Sequence, residues 1–241
     1  MIIGIYGYQD SGKTRFVEGL VGALVGKGYR VSSIKHTPHE KSVDLEGKDT
    51  WRHWKAGSDP VVFASRIETT LIQHSETSAE DLVRKIQREY APDVLIVEGC
   101  KNGSFPKVAL GDVELREGTF LTNPNLSQLV EHIEAEVAVE RVLGELPGLD
   151  CGKCGTDCRG LAVNVSKGVR KIGDCTERSD LEVSVFFGGK KIPTGRFVSR
   201  VLNETIRGML GCLKGVEPGK DVEIRLGSKS EGLMPRSGVG E

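Results

Sequence analysis

Gly7, Gly12, Lys13 and Thr14 in the segment GYQDSGKTR complete the pattern G-x-x-x-x-G-K-[ST], the spacing of a loop that curls around phosphates. Glycine at these points lets successive backbone N–H groups face an anion with no side chain in the way. The helix expected next offers its positive end to the same anion. Lys13 is placed to neutralise β- and γ-phosphates, and the Thr14 hydroxyl to ligate Mg²⁺. Ser11 and Asp10 lie inside the loop, where Asp10 is a candidate to orient water or touch a base. A site of this kind needs an acid from a neighbouring strand. DVLIVEG, residues 93–99, offers Asp93 at one end and Glu98 at the other. Ligands sit at the carboxyl edge of a parallel sheet, and a five-residue strand spans roughly 16 Å, so Glu98 is the expected metal acid and Asp93 lies at the wrong edge.

IKHTPHEKSVDLEGKDTWRHWKAG, residues 34–57, is dense in ionisable groups. Lys35, His36 and His39 fall where a second strand leaves the same edge. Lys48, Asp49, Arg52 and Lys55 follow at spacings that share a helical face. Cations gathered beside a triphosphate site fit a second anionic ligand, and they equally fit a solvated loop and helix face. His36-x-x-His39 lacks a clear third ligand for a metal.

Cys151-x2-Cys154-x3-Cys158-x16-Cys175 is the other chemical signal. Four thiols with Gly152 and Gly155 between them suit a [4Fe–4S] cluster, since glycine lets the backbone wrap tightly around sulfur. A four-cysteine zinc site is the rival, although such sites more often pair two short C-x-x-C knuckles, and idle thiols are the third possibility. Cys100 and Cys212 read as buried core residues.

The elements that must position these groups follow from periodicity. Residues 2–6 (IIGIY) predict a buried strand, Lys13–Val25 a helix and Arg30–Ile34 a second strand. PVVFASRIETTLIQ predicts two short strands. TSAE, starting at Thr77, reads as a capping box before the amphipathic LVRKIQREY. DVLIVEG reads as a central parallel strand, and a long helix is expected over Leu126–Leu143 after KVAL and TFLT. The whole predicts an α/β fold of the P-loop NTPase type, with a mostly parallel sheet and helices on both faces. The expected division is a nucleotide-binding domain over 1–147, a cysteine-rich segment over 148–180, a small ββαβ unit over 181–227 and a loose tail over 228–241. In that ββαβ unit, a hairpin turns on Gly188-Gly189, a helix runs Phe197–Leu213 and VEIRL, 222–226, forms the last strand.

The 241 residues carry 33 Lys+Arg against 34 Asp+Glu, a balance that gives no support for nucleic-acid or polybasic membrane partners. No apolar run reaches the 18 or so residues of a membrane span, and the chain starts directly on a strand rather than a basic leader. A cytoplasmic protein is expected, in which clustered cysteines serve as metal ligands rather than disulfides.

Taken in order, GYQDSGKT, IKHTPHE, DLEGKDTWRHWKAG and VEGCK resemble the molybdopterin-guanine dinucleotide biosynthesis protein B family over residues 1–145. That resemblance implies a GTP-binding accessory protein, typically dimeric and weakly GTP-hydrolysing, that assists the guanylyltransferase joining GMP to molybdopterin. It implies that Gly7, Gly12, Lys13 and Thr14 bind GTP and Mg²⁺. It also implies that K-H-x-x-H and G-K-D-x-x-R line the same cleft, and that VEG-x-K supplies Glu98 and Lys101. Guanine enters through the resemblance alone: no N-K-x-D follows a strand, and TNPN, 122–125, is only a positional candidate to contact a base. The cysteine segment also resembles small iron–sulfur domains, with one residue fewer between Cys154 and Cys158. Similar tails in archaeal-type members imply delivery to molybdenum or tungsten enzymes. Two other functions fit the residues: a small-molecule kinase whose acceptor binds the Lys35–Arg52 region, and a nucleotide-gated metal or cluster chaperone with the cysteines as cargo site.

Overall fold

The computed structural model describes residues 1–9, 11–39, 41–178, 183, 185–187, 190–215 and 217, divided into two compact units, Met1–Thr176 and Glu177–Glu241. In the first, β1 (Ile2–Gly7), β2 (Val31–Lys35), β5 (Val94–Glu98), β6 (Lys107–Leu110) and β7 (Thr119–Thr122) form one sheet in the order β2-β5-β1-β6-β7. All four pairings are parallel. The central strands are apolar on both sides because helices cover both faces. Val94 and Ile96 join Ile3 and Ile5 in a core with Leu20 and Leu24 of α1 (Lys13–Gly26) and Leu129 and Ile133 of α4 (Leu126–Glu145). Leu95 and Val97 point the other way, against Ala79 and Val83 of α3 (Ala79–Tyr90).

The chain leaves β1 toward β2 on one side and reaches β6 on the other, so the strand order reverses beside β1. Such a reversal opens a crevice at the carboxyl ends of the strands, and the P-loop sits there. Register brings the second strand into play: Lys35 and Glu98 are Cα partners in the β2–β5 pair. At the opposite edge Asp93 accepts from the Arg30 amide at 2.9 Å and from Arg141 at 3.1 Å, tying the start of β5 to β2 and α4. It stands away from the crevice, as expected.

The predicted cap of α3 shifts by one residue. Ser78, not Thr77, caps the helix, accepting from the Asp81 amide at 3.0 Å. Both hydroxyls precede an acid three places on, and burial chooses between them: Ala79 and Val83, one helical turn apart, must meet the sheet. The two short strands β3 (Val61–Ala64) and β4 (Thr69–Ile72) form an antiparallel pair apart from the main sheet. Close by, α2 (Asp49–Lys55) stacks Trp54 on His74 at 3.8 Å between ring centroids.

α5 (Cys158–Ser166) and a single 3₁₀ turn, Ile172–Asp174, complete the first unit around the cysteines. In the second unit β8 (Val185–Phe187) pairs antiparallel with β9 (Lys190–Ile192), Val185 opposite Ile192. The expected turn at Gly188-Gly189, the strand VEIRL and the tail lie outside the described residues. α6 runs Arg196–Leu210, three residues short of the expected end. Cys212 therefore falls in the turn after the helix and is exposed, against the expectation that it is buried; Cys100 is buried. Among the described residues no helix is long and apolar enough to cross a membrane.

Candidate functional site

The P-loop closes around two backbone constraints. At Gly7, the last residue of β1, a Cβ would stand 2.4 Å from the Leu110 carbonyl oxygen of the neighbouring strand. Gly12, at the N-cap of α1, adopts φ +78°, a left-handed conformation that side chains resist. From α1, the Lys13 ammonium folds back onto the Tyr8 carbonyl and the Ser11 hydroxyl. The Thr14 hydroxyl donates to Glu98 Oε1 at 3.1 Å, and the Lys35 ammonium forms an ion pair with the same oxygen. Gln9, Gly12, Lys13, Thr14, Arg15, Lys35 and Glu98 line one cavity of about 450 Å³.

Glu98 is 6 % exposed. A buried carboxylate needs a compensating charge, and here the compensation comes from Lys35, with the Thr14 hydroxyl as a second donor. The donor set, a threonine hydroxyl and a carboxylate beside Gly12 and Lys13 in one cavity, fits Mg²⁺ bound with a polyphosphate. The expectation that Glu98 rather than Asp93 reaches the P-loop is met by this contact.

The basic cluster is only partly gathered. Lys35 lines the cavity, and the His36 amide donates to the Glu98 carbonyl at 2.8 Å. His36 Nδ1 is buried with no hydrogen-bond partner among the described residues. His39, Lys48, Asp49, Arg52 and Lys101 are exposed and do not line this cavity; Asp49 and Arg52 form a loose ion pair at 3.9 Å. Asp10 lies outside the described residues. Two lining residues, Gln9 and Arg15, had no signal beyond their place in and just after the motif. The loop TNPN does other work: Asn123 Oδ1 accepts from the Gly111 amide at 2.6 Å, and Asn125 Oδ1 caps α4 through the Gln128 amide at 2.8 Å.

In the cysteine segment Cys154, Cys158 and Cys175 pack against one small core of Val139, Leu146, Leu161 and Ala162, while Cys151 is exposed. Gly152 and Gly155 adopt φ +69° and +86°, and the Gly155 amide donates to the Gly152 carbonyl at 2.8 Å. Asp150 accepts from the Cys158 amide at 2.9 Å and Asp157 caps α5. Arg170 donates to the Cys154 carbonyl at 2.9 Å and to Asp174 at 2.9 Å, bridging the first knuckle to the residue before Cys175. Burial pushes the Cys158 thiol above its ordinary range. Among the described residues no three His, Cys, Asp or Glu side chains converge closely enough to hold an ion as they stand. The tight glycine turns and three thiols on one core nonetheless fit a thiolate-held group.

Two family models match separate stretches of the chain. The family model "Molybdopterin guanine dinucleotide synthesis protein B" matches residues 2–132, and the model "Putative Fe-S cluster" matches residues 146–177. A curated relative from Methanocaldococcus jannaschii, "Putative molybdopterin-guanine dinucleotide biosynthesis adapter protein", is 30% identical over 237 residues, covering 93% of this chain and 97% of that protein. The Haemophilus influenzae "Molybdopterin-guanine dinucleotide biosynthesis adapter protein" is 37% identical over 116 residues, 47% of this chain and 65% of its own length. The solved structure of Bacillus subtilis MobB is 21% identical and covers 56% of this chain and 96% of its own, with a TM-score of 0.45. With one family model spanning more than half of its length and a relative matched almost end to end, the chain belongs to the molybdopterin guanine dinucleotide synthesis protein B family.

Proposed function

We propose that the chain is a GTP-binding adapter in the biosynthesis of molybdopterin guanine dinucleotide, assisting a guanylyltransferase in the attachment of GMP to molybdopterin, with weak Mg²⁺-dependent GTP hydrolysis of its own. The observation that carries this reading is the convergence of Thr14 and Lys35 on the buried Glu98 at the mouth of the P-loop, joined to the relatives' names as biosynthesis adapters. Gly7, Ser11, Gly12 and Lys13 hold the phosphates, and Asp10 in the same loop orients water or touches the base. Thr14 and Glu98 would hold Mg²⁺, which would supply charge neutralisation for the polyphosphate. Lys35, which lines the same cavity next to His36, would add a second cation beside the polyphosphate. Outside that cavity, His39, Lys48, Arg52 and Lys101 form the outer basic surface for the pterin phosphate, with Asp49 paired to Arg52. The chain acts as a homodimer that passes the cofactor on toward molybdenum or tungsten enzymes.

Cys151, Cys154, Cys158 and Cys175 would hold a [4Fe–4S] cluster, or Zn²⁺ in its place; a bound cluster supplies a one-electron redox centre. The Gly152–Gly155 turn and the Arg170 bridge support a preshaped thiolate pocket.

Calorimetric titration with Mg-GTP, followed by guanylylation assays with the transferase, tests the first part. Binding of Mg-GTP together with faster dinucleotide formation is expected; a phosphorylated small-molecule acceptor would turn the reading toward a kinase. Iron and zinc analysis of anaerobically prepared protein decides the cluster.

A further inference from the structure

A second cavity, of about 320 Å³, opens where α1 meets the start of α4 and is lined by Gly12, Arg15, Phe16, Gly19 and Leu126. Gly12 and Arg15 line this cavity and the phosphate cavity alike, so an anion held by the loop places whatever is attached to it at the mouth of the slot. Its walls are apolar apart from Arg15. Gly19 keeps it open: a Cβ there would already touch Leu126 Cδ2 at 3.5 Å, so any longer side chain fills the space.

We infer that this slot takes the nucleobase of the bound nucleoside triphosphate and holds the ring by its face, between Phe16, Leu126 and Arg15. Aromatic and guanidinium groups bind any base through its π-face. In the neighbouring loop the Asn123 amide is tied to both the N–H and the carbonyl of Gly111, and the Asn125 oxygen is committed to its helix cap, so contact with the ring's face is the larger part. The inference rests on the phosphate site proposed above and adds to it a base subsite on the α1–α4 side.

Calorimetry with magnesium tripolyphosphate and Mg-GTP separates the two. Wild-type protein is expected to bind GTP at least about tenfold more tightly than tripolyphosphate, a difference of roughly 1.4 kcal/mol. In Gly19→Leu the GTP affinity should fall to that of tripolyphosphate, with tripolyphosphate binding unchanged. Phe16→Ala should weaken GTP in the same selective way, which covers the case that the leucine disturbs α1. Undiminished GTP affinity in Phe16→Ala, or in a Gly19→Leu protein that still binds tripolyphosphate, overturns the base slot and leaves the phosphate site standing. Failure of wild-type protein to bind either anion overturns the phosphate site, and the slot with it.

Discussion

The Thr14 hydroxyl and the Glu98 carboxylate meet at 3.1 Å across the ends of α1 and β5, although the residues lie far apart in the chain. The P-loop fixes the first and the sheet fixes the second, so the contact is a direct product of the β1–β5 pairing, in which Ile5 and Glu98 are partners. Glu98→Gln keeps the shape and removes the charge. Its magnesium-dependent share of triphosphate affinity is expected to vanish while metal-free binding persists. Titration with and without Mg²⁺ checks this; an unchanged magnesium effect would show that the cation is held elsewhere.

Lys13→Ala removes the ammonium that spans the loop. Charge-assisted bonds to phosphate contribute roughly 1.5–3 kcal/mol, so triphosphate affinity should drop by at least about tenfold. The thermal midpoint should hardly move, because the side chain is outside the apolar cores.

Asp93 supplies a prediction about acid stability. The Arg30 amide, and beyond it the Arg141 guanidinium, hold its carboxyl below the usual carboxylate range against the opposing pull of burial. A carboxyl depressed in the native state stabilises fully above its unfolded value of about 3.9 and loses that contribution as pH falls through the lower native value. Asp93→Asn should therefore cost about 1–2 kcal/mol at neutral pH and progressively less below pH of about 4. Urea unfolding of both proteins across that range measures it; a cost independent of pH would contradict the assignment.

Arg170 joins the Cys154 carbonyl to Asp174, so Arg170→Ala should slow and weaken metal uptake by the cysteines even though no thiol is touched. Metal-to-protein ratio and visible absorbance after anaerobic loading report it, and Arg170→Lys, which keeps one of the two bonds, should recover part of the loss. Cys154→Ser should abolish loading outright.

Lys107 is 2 % exposed, and its ammonium donates to the Gly103 and Phe105 carbonyls. This buried cation fastens the turn that follows Glu98. Lys107→Met leaves those carbonyls unsatisfied; faster amide hydrogen exchange over residues 99–106 is the expected outcome.

The parts visible in the sequence were those that local chemistry dictates. G-x-x-x-x-G-K-T needs only a strand before it and a helix after it. The run DVLIVEG announced a strand buried on both sides, which alone decided that Glu98 and not Asp93 reaches the crevice. The parts that stayed hidden depend on long-range register. Nothing near Lys35 announces that β2 lies beside β5 and delivers its ammonium to Glu98, so a residue read only as a cation for a second ligand is also the counter-ion of the buried Glu98 carboxylate. TNPN read as a candidate to contact a base because the partner of Asn123, Gly111, sits on the far side of a strand connection. The cap at Ser78 and the exposure of Cys212 were missed for a related reason: both turn on where a helix starts or stops, and packing sets that point.

One rod joins the two ends of the first unit. Leu126 at the head of α4 borders the slot beside the P-loop, and Val139, Val142 and Leu143 near its foot form the seat of the cysteines. Leu126 and Val139 stand about 20 Å apart along it, too far for the P-loop mouth and the cysteines to share a ligand. Any influence of one end on the other would have to travel as a shift or tilt of this helix against α1, across the apolar core that Leu129, Ile133 and Val137 share with Val17, Leu20 and Leu24.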